Sequence, residues 1–358
     1  MKPGRFVVDT HVHGQRHAVR LDKSEIEAGY EDISHVMRTA TPADEATEDS
    51  DVVVYPNTDR IIHDMDTYGV DRAVLLPGFG MTNEIHKQMV QDHPDRFTAL
   101  ASPVQTDKAA ARGEEEWTIE RACEELDDVL EAEEFVGIGE SAPTDPTRDE
   151  RIEWRERRDE LRQAFEVADA HDVPISWHSG TVSGYSDGKS SLDVYPDWED
   201  PTLVSDLAAE YSDVDIIINH GGMQGTWHED TVDAACKVAA RHNNVYLEIG
   251  LYWADLIHKP FNDPNIDLSQ LLWGTDWGAS MVAHAQPNEE PPMYWDQIES
   301  RGLPAHQPDY WGTSLRQLEK FVWDEELPQD EFNLILGGNA CRLLDIEPPE
   351  KRLFPEYL

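Results

Sequence analysis

The sequence predicts an α/β fold, a single-domain (β/α)8 barrel of the TIM type. Three observations carry this reading. Eight short apolar, β-branched-rich runs recur along the 358 residues, most of them bounded by glycine or proline. The runs are apolar on both faces, the mark of a parallel sheet covered by helices. Amphipathic or charged segments separate them, and eight such units over this length favour a closed barrel over an open doubly wound sheet. No GxGxxG or Walker pattern follows any run, which removes the usual nucleotide-binding form of the open sheet.

In chain order the runs are RFVVDTHVH (5–13), DRAVLLP (71–77), FTALASPV (97–104), FVGIGE (135–140), VPISWHSG (173–180), DIIINHGG (215–222), NVYLEIGL (244–251) and LLWGTDWG (271–278). Helices are expected around 58–68, 83–92, 114–132, 150–171, 199–211 and 228–241, with a shorter one at 254–259. Three connections exceed the needs of a βα loop: 14–57, 181–198 and 279–310, after strands 1, 5 and 8. All follow strand C-termini, so they would crowd the face where barrels build their specificity. The acidic stretch TPADEATEDSD (41–51) reads as a solvated loop. No internal repeat or Ser/Gly-rich linker divides the chain, so 1–358 is taken as one domain.

The formal net charge is −44, from 73 acidic and 29 basic residues, the latter 20 arginines and 9 lysines. Such a chain repels nucleic acid. The acids are spread along its whole length, and 11 tryptophans with 11 tyrosines argue against acidic disorder. Adaptation to high salt is the expectation, because molar salt shortens the Debye length to about 3 Å and screens the repulsion. The three cysteines, Cys123, Cys236 and Cys341, are far apart and suggest neither a disulfide framework nor a zinc cluster. MKPGRF runs straight into the first strand, and no apolar run approaches the ~20 residues of a membrane span. A cytoplasmic protein without a membrane partner is expected.

His11 and His13 stand at i and i+2 on the first strand, so their rings share one side while Val12 points away. That geometry suits chelation. His178 closes ISWHSG, His220 closes INHGG and Asp276 closes WGTDWG, each followed within two residues by a glycine that lets the backbone turn away. Strand C-termini of a barrel converge on one axis. There His11, His13, His178 and Asp276 would meet as three neutral nitrogens and one carboxylate, a set suited to Zn²⁺, with Mn²⁺, Fe²⁺ or Co²⁺ as alternatives.

With these motifs the chain resembles the amidohydrolase superfamily, in its amidohydrolase-related branch that includes aminocarboxymuconate semialdehyde decarboxylase. DTHVH, WHSG, NHGG, GTDWG and the closing ILGGNACRLLDI (335–346) carry the resemblance, from residue 6 to about 346. It implies that His11, His13, His178 and Asp276 hold one divalent metal while His220 polarises water or substrate. Superfamily members with two metals place a bridging ligand near the end of strand 4, which makes Glu140 a candidate second-metal ligand or a hydrogen-bonding support for a histidine ligand. Glu248 has a similar status, and Asp9, two residues before His11, is read as an orienter on the same face.

Candidate substrate contacts are Arg16, His17 and Arg20 just after the HxH pair, where arginine suits a carboxylate, and Tyr252, Trp253 and Trp277 just past strand ends. Trp177 should point into the helix layer, and Asn339 reads as the cap of the helix ACRLLDI. The ligand set suits hydrolysis of a small substrate, with Asp276 taking the proton of an activated water and His220 stabilising the oxyanion. Non-oxidative decarboxylation is the alternative, and a metal-binding barrel without catalysis is a third reading. Many barrels of this type dimerise, so a homodimer stays open.

Unscreened repulsion among the acids should oppose compaction at low salt. Thermal melts in 0.1 M and 3 M KCl are expected to give a clearly higher midpoint at 3 M, and equal midpoints would remove the high-salt reading.

Overall fold

Each of the eight apolar runs contains a strand in the computed structural model, which describes residues 5–14, 16–20, 41–42, 52–56, 58–77, 81–140, 143–148, 152–179, 200–223, 229–277 and 310–348. Numbered along the chain, the strands are β1 (Val8–His13), β2 (Arg16–Arg20), β3 (Thr41–Pro42), β4 (Val52–Pro56), β5 (Arg72–Leu76), β6 (Phe97–Ala101), β7 (Phe135–Ile138), β8 (Ile175–Trp177), β9 (Ile216–Ile218), β10 (Val245–Glu248) and β11 (Leu271–Leu272). β1 and β5 to β11 form one eight-stranded parallel sheet in chain order. The ring is drawn shut past the end of β11, where His13 N donates to Trp277 O at 2.7 Å and Trp277 N to His11 O at 3.1 Å.

The strands are apolar on both faces because both faces are buried. Val74, Leu76, Ile217, Tyr246 and Leu272 pack inside the barrel with Val8, while their chain neighbours Ala73, Leu75, Ile216, Ile218, Val245, Leu247 and Leu271 pack in the outer layer. Ala340, Leu344 and Ile346 join the inner cluster. The C-terminal segment therefore closes the floor of the barrel, leaving the strand C-termini as the open end.

The helices are α1 (Thr58–Tyr68), α2 (Asn83–Asp92), α3 (Val104–Ala111), α4 (Ile119–Leu130), α5 (Trp154–His171), α6 (Ser205–Glu210), α7 (Glu229–Ala239), α8 (Ala254–Asn262), α9 (Tyr310–Asp324), α10 (Gln329–Asn333) and α11 (Asn339–Leu343). Three lie outside the segments expected from sequence: α3, α9 and the short α10. In α3 only Thr106 and Ala110 are buried, so its periodicity is faint, and Glu125 of α4 caps it by accepting from Gln105 N and Thr106 N. α9 buries Trp311, Leu318 and Phe321 at helical spacing against the outer layer. None of the helices in the described residues is long and apolar enough to cross a membrane.

The segment 14–57 is not only loop. β2 pairs antiparallel with β4, from Arg16 opposite Pro56 to Arg20 opposite Val52, and with β3 on its other edge. The β-branched run VVVY favours that pairing, which brings the two ends of the insertion together above β1. Residues 43–51 of the acidic stretch and the long connections after strands 5 and 8 lie outside the described residues.

Asn339 corrects an expectation. It has helical φ and ψ, preceded by a π-helical turn (Leu334–Gly338), so it caps nothing. Its buried amide instead donates to Leu268 O at 2.9 Å and Leu271 O at 2.8 Å, tying the floor segment to β11. Asn339→Ala would remove the side-chain donor from the buried Leu271 carbonyl, and from Leu268 O, which keeps the N–H of Leu271. The variant is expected to lose about 1–3 kcal/mol of unfolding free energy, read as a lower urea midpoint, with the far-UV spectrum unchanged.

Candidate metal centre

The site begins with an irregularity in β1. Three steps from Asp9 to Val12 oppose only two on β5, from Ala73 to Leu75, which is a β-bulge. The extra residue breaks strict alternation. Consecutive residues Thr10 and His11 reach the same carboxylate, Thr10 Oγ1 donating to Glu248 Oε1 at 2.8 Å and His11 Nδ1 to Glu248 Oε2 at 2.9 Å. Asp9 is thereby on the opposite side from His11, contrary to its expected place. Its carboxylate accepts from His11 N (2.9 Å), Thr275 N (3.0 Å), Thr275 Oγ1 (2.5 Å) and the indole N–H of Trp311 in α9. Asp9 orients backbone on both sides of the barrel seam and touches no histidine ring.

His11 Nε2 and His13 Nε2 face each other at 3.2 Å, and Asp276 Oδ1 lies 3.5 and 3.3 Å from them. All three side chains are buried. Donors bound tetrahedrally at 2.0–2.1 Å stand about 3.3–3.4 Å apart, so these atoms have the dimensions of one face of a metal's ligand shell. The donor set fits a divalent ion.

Glu140 borders that face and reaches all four histidines: Oε1 is 2.5 Å from His178 Nδ1, 3.4 Å from His220 Nε2 and 3.8 Å from His11 Nε2, and Oε2 is 3.1 Å from His13 Nε2. A second, looser group of ligand atoms, His11, Glu140 and His220, results. His178 is in the cluster, yet its Nδ1 turns to Glu140, and it belongs to neither close group among the described residues.

His220 is held by its surroundings. Its Nδ1 is 2.9 Å from the Ser179 carbonyl, which can only accept, so Nδ1 carries the proton and Nε2 the lone pair. Among the described residues Nε2 is buried without a hydrogen-bond partner, 3.5 Å from Asp276 Oδ2. Ser179 Oγ bridges Asn219 O and Gly222 N, and His220 N donates to Glu248 Oε2. Both His220 (φ 57°) and Asp276 (φ 53°) lie in the left-handed region, strain typical of side chains aimed by a sharp turn. At Gly221 a Cβ would stand 2.3 Å from the Tyr252 hydroxyl, so only glycine lets that hydroxyl donate to Gly221 O.

The electrostatics follow from burial and neighbours. Burial works against protonated His11 and His13, but Glu248, Glu140 and Asp276 outweigh it and raise them to about 9 and about 10. Burial alone would raise Asp276 and Glu140, and the surrounding histidines reverse this, holding Asp276 below its ordinary value and Glu140 well below. His220 is pushed down to about 4 by burial, helped by His178 and His11. At neutral pH the centre therefore presents ionised carboxylates and a neutral His220. A cation entering it would displace the protons of His11 and His13.

Tyr252, Trp253 and Trp277 are buried: Tyr252 clamps the His220 turn, Trp253 packs in the outer layer, and Trp277 stacks on Trp311 at 5.2 Å. Trp177 packs outside the barrel as expected. Arg16, His17 and Arg20 lie on β2, with side chains outside the described residues. Thr10, Ser179 and Thr275 were missed, although each adjoins a site histidine or Asp276 in sequence.

The family described as Amidohydrolase matches residues 8–346, from β1 through the floor segment. No curated protein matches the sequence. Among solved structures the chain is similar to a probable 2-pyrone-4,6-dicarboxylic acid hydrolase from Acinetobacter baumannii with citric acid bound, at 17% identity over 95% of this chain and 99% of that one, with a TM-score of 0.50. An amidohydrolase 2 from Bifidobacterium longum subsp. infantis is similar at 13% identity over 96% of this chain and 100% of that one, with a TM-score of 0.47. At 17% identity the first of these likenesses concerns the barrel fold alone.

Glu248 fixes the His11 tautomer so that Nε2 faces Asp276. Glu248→Gln is expected to weaken metal binding by about 10–100-fold in competition with a chelator, because an amide supports His11 Nδ1–H less well than a carboxylate. Unchanged affinity would show that His11 needs no such anchor.

Proposed function

The chain belongs to the amidohydrolase family, and from that premise we propose that it is a metal-dependent hydrolase cleaving a C–O or C–N bond of a small, aromatic or carboxylated substrate. The carrying observation is the buried face of His11, His13 and Asp276, with edges of 3.2, 3.3 and 3.5 Å. We assign it one divalent ion. Zinc is favoured over Mn²⁺, Fe²⁺ or Co²⁺, because octahedral donors at 2.1 Å would stand only about 3.0 Å apart. The His178–Glu140 pair borders the face and supplies its remaining donor.

A bound divalent ion supplies Lewis-acid activation of water and of a carbonyl group. Asp276 takes the proton lost by the attacking water and returns it to the leaving oxygen or nitrogen. His220 has Nδ1–H committed to Ser179 O, so it offers Nε2 as an acceptor and shares the proton with Asp276 Oδ2. This replaces the oxyanion role expected from sequence, which needs a donor. Burial excludes competing water from His11, His220 and Asp276.

The test is elemental analysis, followed by screening lactones, amides and aromatic or enoic acids in molar KCl. About one ion per chain and chelator-sensitive hydrolysis are expected. Asp276→Asn should retain part of the metal and lose about 10²–10⁴-fold in turnover, since an amide cannot accept the proton. His220→Asn should lose turnover with metal unchanged. Release of CO2 in place of hydrolysis would assign a decarboxylase, and a metal-loaded protein without turnover would mark a binding barrel.

A further inference from the structure

His86 of α2 is fully buried, and neither of its ring nitrogens has a hydrogen-bond partner among the described residues. An unmet buried polar group costs about 1–3 kcal/mol, so a native interior seldom keeps two on one side chain without use. The ring lies at the end of β1: a Cβ on Gly14, the residue after His13, would come within 3.4 Å of His86 Nε2 and 2.8 Å of Met81 Cε. The position is rigid. Asn83, one turn earlier, exchanges hydrogen bonds with Ser102 just past β6, donating to its carbonyl at 2.7 Å and accepting from its N–H at 3.3 Å. The helix is also capped by Thr82, whose hydroxyl accepts from Ile85 N. α2 therefore holds an unsatisfied imidazole against the corner where the metal-facing strand ends.

We propose that His86 is a substrate-binding residue, whose imidazole hydrogen-bonds an uncharged polar group of the substrate, a hydroxyl, carbonyl or amide, beside the face of His11, His13 and Asp276. The assignment rests on the hydrolase reading above. The chemistry of the group follows from the ring. Burial, the larger cause, pushes the fully enclosed His86 ring down, so it is neutral and offers one N–H donor and one bare nitrogen. It brings no charge to pair with a carboxylate. Gly14 contributes by absence, since a side chain there would displace Met81 and crowd the ring.

The experiment compares full-length wild type, His86→Leu and His86→Gln for melting temperature, bound metal and turnover of the best substrate from the screen. His86→Leu removes the unmet nitrogens, so it should melt at or about 2–4 °C above wild type. It should keep its metal and lose about 10-fold in kcat/KM, the worth of one hydrogen bond. His86→Gln, which keeps a donor and an acceptor, should recover part of that loss. A His86→Leu variant that melts below wild type marks a packing residue, and one that retains full kcat/KM leaves the imidazole without a substrate; either result overturns the proposal. A metal-loaded wild type that turns over nothing fails on a separate arm, defeating the hydrolase reading and this assignment with it.

Discussion

One extra residue in the first strand sets the centre on which the chemistry depends. The bulge between Asp9 and Val12 places Thr10 and His11 together on the Glu248 carboxylate and sends Asp9 to the other side, where it binds Thr275 and Trp311. Without it, strict alternation would put Asp9 and His11 on one face, and two separate carboxylates could not serve the two sides of the strand. Glu248 also holds the backbone of His220, so a single side chain fixes two of the four histidines. Asp9 does the same for the backbone at His11 and at Thr275, the residue before Asp276.

Burying four histidines beside Glu140, Glu248 and Asp276 is expensive unless the charges balance. They do so here by sharing: the carboxylates lift His11 and His13, the histidines depress Glu140 and Asp276, and His220 is left neutral. That separation gives two classes of side chain. His11, His13 and Asp276 form a compact donor face, while His220, its tautomer set by Ser179, keeps a lone pair for a proton. The left-handed backbone at His220 and Asp276 costs about 1–3 kcal/mol at each. Surrounding contacts enforce it, Tyr252 on Gly221 and Asp9 on Thr275.

Much of this was legible in the sequence. The eight strands and most helices announced themselves by periodicity, since a parallel barrel buries both faces of every strand and leaves runs such as DIIINHGG apolar throughout. The histidines and Asp276 were legible because each closes such a run beside a glycine. α3 was not, because its cap comes from Glu125 on another helix, and Asn339 was misread because a GGNA segment looks the same whether it caps a helix or continues one. The neighbours of Tyr252 and Trp253 were not legible for a related reason: an aromatic past a strand end carries no mark of which side chain or backbone will cover it.

By itself, then, the sequence determined the barrel, the strand that bears each ligand, and the acidic character of the whole, because these depend on spacing and composition within a few residues. Only the tertiary structure decided which groups touch. Thr10 and Glu248 are 238 positions apart, Asp9 and Trp311 are 302 apart, and Glu140 meets four histidines from three strand ends. Such contacts are set by register, by one bulge and by closure of the ring, and a one-residue shift in any of them would exchange the inner and outer faces of a strand without altering its sequence pattern.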